Sequence, residues 1–456
     1  MTLLTASRLT LTSPAPLVDR YGTHHRAASV GACLAFAQAV EAVVAHRPDA
    51  AAALDRALAA DPHLVAAHAL RGLAQVILAR PETMAAARAA LARAEAALSE
   101  RGAGCTGDER ALFDTLALGS EGRLLAAADR LDLALAHSPQ ALLLLKLSHT
   151  LRFMAGDVPG MLRTTHAALR ACTPEMQGYG FLLGCHAFAL GEVGDLAGAE
   201  RFGRRAMGLE SRDAWALHAV AHVHEMRGQA EAGIAWIEGA RPAWAGCNNF
   251  AFHLAWHLAL FHLERGRQEA ALDLYDREVR PGPGEDFRDY ANAASLLERL
   301  RQEGIDVGDR WRELAEVAAR RRRETTLVFA VLHRLLALAA VGDLPAARET
   351  VAALEAEAAS GCGDQSQVAA LVGIPLARAI LASGKGAGSP TGIGTALDGL
   401  NRLGGSRAQR DVFLRLLAER AAAVGDGASL DAVLALRRRL RRDDRFAALM
   451  RTRGGR

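Results

Sequence analysis

The sequence predicts an all-α protein, a right-handed α-solenoid of tetratricopeptide-like helical hairpins. Three observations carry this reading. Alanine, leucine and arginine dominate the 456 residues, aromatic residues make up 5% and β-branched residues are sparse, the usage of a helical chain with little or no sheet. Amphipathic stretches alternate with short turns of one chemistry: Gly156-Asp157, Gly194-Asp195, Gly228-Gln229, Gly266-Arg267, Gly342-Asp343 and Gly425-Asp426. The glycine closes one helix in the left-handed conformation and the next residue, often Asp, caps the following helix. Finally, the turn glycines at 156, 194, 228 and 266 lie 38, 34 and 38 residues apart, close to the 34-residue tetratricopeptide period.

Taken in order, residues 1–30 are rich in Thr, Ser and Pro and form an N-terminal arm, and residues 31–456 form a single helical-repeat solenoid. The opening MTLLTASRLTLTSPAP has neither a basic start nor a continuous apolar core, so it does not read as a signal peptide. Upstream hairpins are AAALDRALAADPHLVAAHAL and LLAAADRLDLALAHSPQALLLLKLSH. The outer helices of the middle repeats are AGAERFGRRAMGLE, AEAGIAWIEGA and EAALDLYDREV, and LPAARETVAALEAEA and SRAQRDVFLRLLAERAAAVGD continue the pattern downstream. Roughly ten hairpins stack as one superhelix without a sheet. Their first helices, near 140–154, 177–192, 213–227, 248–264, 287–302, 324–341 and 407–422, line the concave face. The Gly- and Pro-rich stretches at 280–287 and 382–394 read as connectors rather than lips over a groove.

Composition also sets limits. Hydrophobic residues reach 51% and the formal net charge is only +3, so there is a core but no strong field to attract nucleic acid or a membrane surface. The basic runs Arg320–Arg323 and Arg437–Arg442 lack interleaved aromatic residues and read as solvated helix faces. No window approaches 18 uninterrupted apolar residues, which excludes a spanning helix. Six cysteines without C-x-x-C spacing fit reduced thiols in a cytoplasmic protein.

The chemistry-bearing residues concentrate between Asp213 and Glu264, which hold six of the sixteen histidines. On DAWALHAVAHVHE, residues Trp215, His218, His222 and Glu225 step by three or four and share a helix face, with His224 turned away. On the next inner helix Phe250, His253, His257 and Glu264 repeat the stripe, flanked by Trp256. Tyr179, Asn292, His333, Gln409 and Arg410 lie on other inner helices and complete the candidate set.

Four ordered strings resemble the tetratricopeptide repeat protein 38 family from about residue 140 onward: DAWALHAVAHVHEMRG, HLAWHLALFHLERGRQEAALDLYD, SLLERLRQEGIDVGDRW and GGSRAQRDVF. The resemblance implies an α-helical repeat fold with a pocket shaped by these motifs. Where the family has HNxWH this chain has Leu254 after His253, and where it has F-N-D-x-H this chain has Phe329, Ala330, Val331, Leu332 and His333. Thr150 and Asn292 stand where the family often has Asp.

Two functions follow as expectations. In the first, His218, His222, His253 and His257 act as acid/base residues in a pocket for a small polar or anionic ligand, bound with Tyr179, Trp215, Glu225, Trp256, Asn292, His333, Gln409 and Arg410. The two His-x-x-x-His pairs would also suit a transition metal. The replaced polar groups beside them favour a site with no metal and no cofactor. In the second, the protein is a non-catalytic scaffold whose groove holds a short peptide or partner helix. Apolar outer faces would support a homodimer.

Overall fold

Glycine-terminated, aspartate-capped helices set the architecture. The computed structural model describes residues 16–101, 104–382, 393–441 and 444–454. The helices pair as Val30–Val44 with Ala50–Ala60, Val65–Leu78 with Pro81–Arg101, Gly107–Ser120 with Leu124–Leu135, and Leu142–Ala155 with Val158–Ala171. Tyr179–Val193 then pairs with Leu196–Leu209, Ala214–Met226 with Ala230–Gly239, and Phe250–Glu264 with Gln268–Leu274. Phe287–Gln302 with Arg310–Arg320, Val328–Val341 with Leu344–Ser360, and Arg407–Val424 with Gly427–Leu440 complete an all-α helical-repeat solenoid. The predicted inner helices match these within a few residues.

The turn chemistry works as read from the sequence. Gly156 and Gly425 end their helices at the same left-handed φ of 72° and ψ of 19°. Asp157 then accepts from the Gly160 N–H and Asp426 from the Ser429 N–H, so each orphan amide at the new helix start finds a carboxylate. One contiguous apolar core runs along the stack, from Tyr21 to Met450.

The superhelix closes on itself. Gly156 sits so near the Asn401 carbonyl that a Cβ there would lie 1.8 Å from its oxygen. Glu192 accepts from the Arg407 N–H at 3.1 Å, Arg299 donates to the Ala408 carbonyl at 2.7 Å, and the Asn248 N–H donates to the His46 carbonyl at 2.7 Å. Chain segments far apart in sequence therefore ring the inner helices of the middle repeats.

Two expectations need correction. A small sheet is present: strands Pro16–Val18 and His24–Arg26 pair antiparallel. The Asp19 carboxylate ties the turn by accepting from the Tyr21 and Thr23 N–H groups, and Asp108 and Glu109 accept from the His24 and Arg26 N–H groups. This edge is satisfied by a distant helix start, which no local pattern reveals. The 437–442 basic run is not a uniformly solvated face either, since Arg437 is 1% exposed between Asp411 and Asp444, and Arg441 is also buried. Most of the 382–394 connector, and residues 1–15 of the arm, lie outside the described residues. Among the described residues no helix is long and apolar enough to cross a membrane.

Candidate functional site

Asp213 fixes the start of the Ala214–Met226 helix by accepting from the Trp215 and Ala216 N–H groups at 3.0 and 3.1 Å. That phase turns His218 and His222 toward the Phe250–Glu264 helix, whose His253 and His257 face back. All four imidazoles are buried, and one nitrogen from each falls within 4.8 Å of the others. His218 Nε2 lies 2.8 Å from His222 Nε2 and 2.9 Å from His253 Nε2.

The outer nitrogens point at oxygens. His253 Nδ1 is 2.9 Å from Asn292 Oδ1, His257 Nδ1 is 3.2 Å from Glu225 Oε2, and His222 Nδ1 is 3.9 Å from Glu192 Oε1. The two oxygens within hydrogen-bond reach, those facing His253 and His257, favour the proton on Nδ1 and a bare lone pair on Nε2. His257 Nε2 has no hydrogen-bond partner. Burial is the main force holding the His253 and His257 pKa values down at about 3 and those of His218 and His222 well below the usual histidine range. Four neutral imidazoles converging on one point could hold a metal ion.

A recessed cavity of about 130 Å³ opens beside this cluster. Its lining is drawn from residues as distant as His46 and Gln409 and includes His218, His253 and Asn292. Trp215, Phe250, Phe153, Phe287 and Phe329 give it aromatic walls. His222 and His257 do not line it and sit behind the other pair. Lys146 and Arg288 bring the cationic groups. The Lys146 ammonium lies 4.6 Å over the Trp215 ring and 3.2 Å from His46 Nε2.

The predicted residues divide accordingly. Trp215, Asn292 and Gln409 line the cavity, and Gln409 also forms a reciprocal cap with Ser406. Trp256 stacks on His253 with centroids 5.2 Å apart and donates to Ser295 Oγ, while Glu225 holds His257. Arg410 is taken up by Glu192 at 3.3 Å and by the carbonyls of Gly404 and Gly405. His333 turns to the Phe329 carbonyl and packs on Phe413, and Tyr179 lies apart under Arg205. Cys185 is fully enclosed, and burial pushes its thiol up to about 11, so no nucleophile stands there.

Sequence reasoning missed His46, Lys146, Arg288 and Glu192. One signal was present: Lys146 is one of only two lysines in the chain and interrupts the run LLLLKLSH. A lysine amid leucines on an inner helix marks a charge with a purpose inside. His46 and Glu192 carried no comparable signal, because repeat curvature brings them in.

Searching family models gives no match to the chain. Among solved structures, the chain is similar to one from Naa15/Naa10 bound to HypK-THB, with 16% identity over 90% of this chain and a TM-score of 0.25. It spans 64% of that chain's length. It is also similar to the P58(IPK) TPR domain, with 14% identity, a TM-score of 0.20, and coverage of 77% of this chain and 88% of that one.

Proposed function

We propose that this helical-repeat protein binds a small molecule carrying an anionic group on an aromatic or apolar body, within the cavity beside the histidine cluster. This reading treats the chain as a divergent cytoplasmic relative of the tetratricopeptide repeat protein 38 family. One observation carries it. Lys146 is 5% exposed and lines the cavity, yet no carboxylate lies within ion-pairing distance of it among the described residues. Asp213 feels its charge, but burial holds that carboxyl up at about 7, so it is a weak counter-ion. A buried ammonium without an anion is costly, and a ligand carboxylate or phosphate would relieve that cost. Trp215, Phe250 and Phe329 supply apolar surface for the rest of such a ligand. The inward faces of the central helices are filled, and the space left suits a small molecule better than a partner helix.

A thermal-shift panel of aromatic and short-chain monocarboxylates, with the matching amides as neutral controls, tests this. Carboxylates should raise the melting temperature of the wild-type chain, amides should not, and Lys146→Met should abolish the difference. Equal responses to acids and amides, or an undiminished response in Lys146→Met, would reject the ligand reading and leave the peptide-binding scaffold.

A further inference from the structure

We infer that His218, His222, His253 and His257 form a binding site for one transition-metal ion, coordinated through their Nε2 atoms. The proton inventory of the cluster points to a cation. With Asn292 and Glu225 claiming the Nδ1 protons of His253 and His257, two bare Nε2 lone pairs converge with the Nε2 atoms of His218 and His222. His218 Nε2 contacts those of His222 and His253, at 2.8 and 2.9 Å, but a neutral imidazole has at most one proton there to share. One contact therefore is not a hydrogen bond, and His257 Nε2 is left with no partner at all. A metal ion satisfies all four at once.

Distances and surroundings agree. Tetrahedral ligands at 2.0–2.1 Å from an ion stand about 3.3 Å apart. The pairs at 2.8 and 2.9 Å and the outer limit of 4.8 Å bracket that spacing, so the shell is completed when the closest pairs open by about 0.5 Å and the farthest closes by about 1.5 Å. The carboxylate–imidazole arrangement of Glu225 with His257 is the support that orients metal-bound histidines elsewhere. Glu225 forms no ion pair within 4 Å with an arginine among the described residues, although Arg299 and Arg441 feel its charge, whereas Glu192 is engaged directly by Arg410. Four neutral nitrogens select Zn²⁺, Ni²⁺, Co²⁺ or Cu²⁺ over Mg²⁺ or Ca²⁺. Replacement of the residue after His253 by Leu254 does not disturb the set, because Leu254 packs in the core and Asn292 orients His253 instead.

The test uses the full chain and Zn²⁺ alone as the probe. After loading and dialysis, elemental analysis should give about one zinc per chain, and zinc-edge X-ray absorption should show an all-nitrogen shell with imidazole scattering. Zinc well below stoichiometry, or a shell containing sulfur, overturns the proposal. His222→Gln combined with His257→Gln should remove the zinc, and His186→Gln, outside the cluster, should retain it. Glu225→Gln keeps all four ligands and should weaken zinc about 10- to 100-fold in chelator competition. Full zinc in the double variant, or unchanged affinity in Glu225→Gln, also overturns it. Should the double variant fail to fold, the wild-type absorption spectrum and the Glu225→Gln competition decide. The site stands or falls independently of the carboxylate panel, since zinc binding requires no ligand at Lys146.

Discussion

Replacing Asp213 by Asn should stabilise the protein in a pH-dependent way. The Asp213 carboxyl is 1% exposed, and burial, opposed by Lys146 and by the Trp215 and Ala216 amides, raises its pKa from 3.8 to about 7. Its second oxygen has no hydrogen-bond partner and rests against Gly184, where a Cβ would lie 2.1 Å away. The folded state therefore holds a proton that the unfolded chain releases between pH 4 and 7. With more protons bound in the folded state, stability falls as pH rises through that window and levels off above it. At about 1.4 kcal/mol per unit, the shift from 3.8 to about 7 costs about 4 kcal/mol at pH 8 but under about 2 kcal/mol at pH 5. Asparagine caps a helix about as well as aspartate, keeps an acceptor for the two amides and has no ionised form. Urea denaturation of both chains at pH 5, 6, 7 and 8 should show the variant's advantage growing by about 3 kcal/mol across the series. An advantage that stays flat with pH would refute the assignment of Asp213 as the titrating group.

The turn glycines offer a matched pair. Gly156 and Gly425 share φ and ψ, but a Cβ at Gly156 strikes the Asn401 carbonyl and one at Gly425 meets nothing. Gly425→Ala should thus cost only the left-handed penalty of about 1 kcal/mol, while Gly156→Ala should cost about 3 kcal/mol or more, read as urea midpoints; equal costs would deny the ring closure. Arg437→Met should destabilise by about 3–5 kcal/mol by leaving Asp444 without its ion pair and Asp411 with only Arg299, at 3.9 Å. Burial raises the Asp444 pKa, but hydrogen bonds and charge from Arg437 outweigh it and hold the value at about 2. The wild-type advantage over Arg437→Met should therefore be present above pH 4 and shrink as pH falls toward 2, in the same denaturation assay.

The sequence by itself determined the hairpins and the two histidine stripes. Both are local: a glycine that accepts positive φ, an aspartate that reaches an amide three residues on, and a four-residue step that returns to the same helix face. The tertiary structure decided what the stripes meet. Tyr179 and Arg410 sit on inner helices as expected, yet Tyr179 lies under Arg205, and Arg410 is drawn to Glu192, 218 residues away. His46 reaches the site only because its hairpin meets the Asn248 turn, and the superhelix curves until residues 401–407 touch the helices ending near 156 and 192. The nitrogens that His257 and His253 present were likewise set by Glu225 and Asn292 on facing helices. Hairpin formation depends on neighbours within one turn, whereas curvature accumulates from small rotations at every repeat interface, set by packing between residues far apart in sequence.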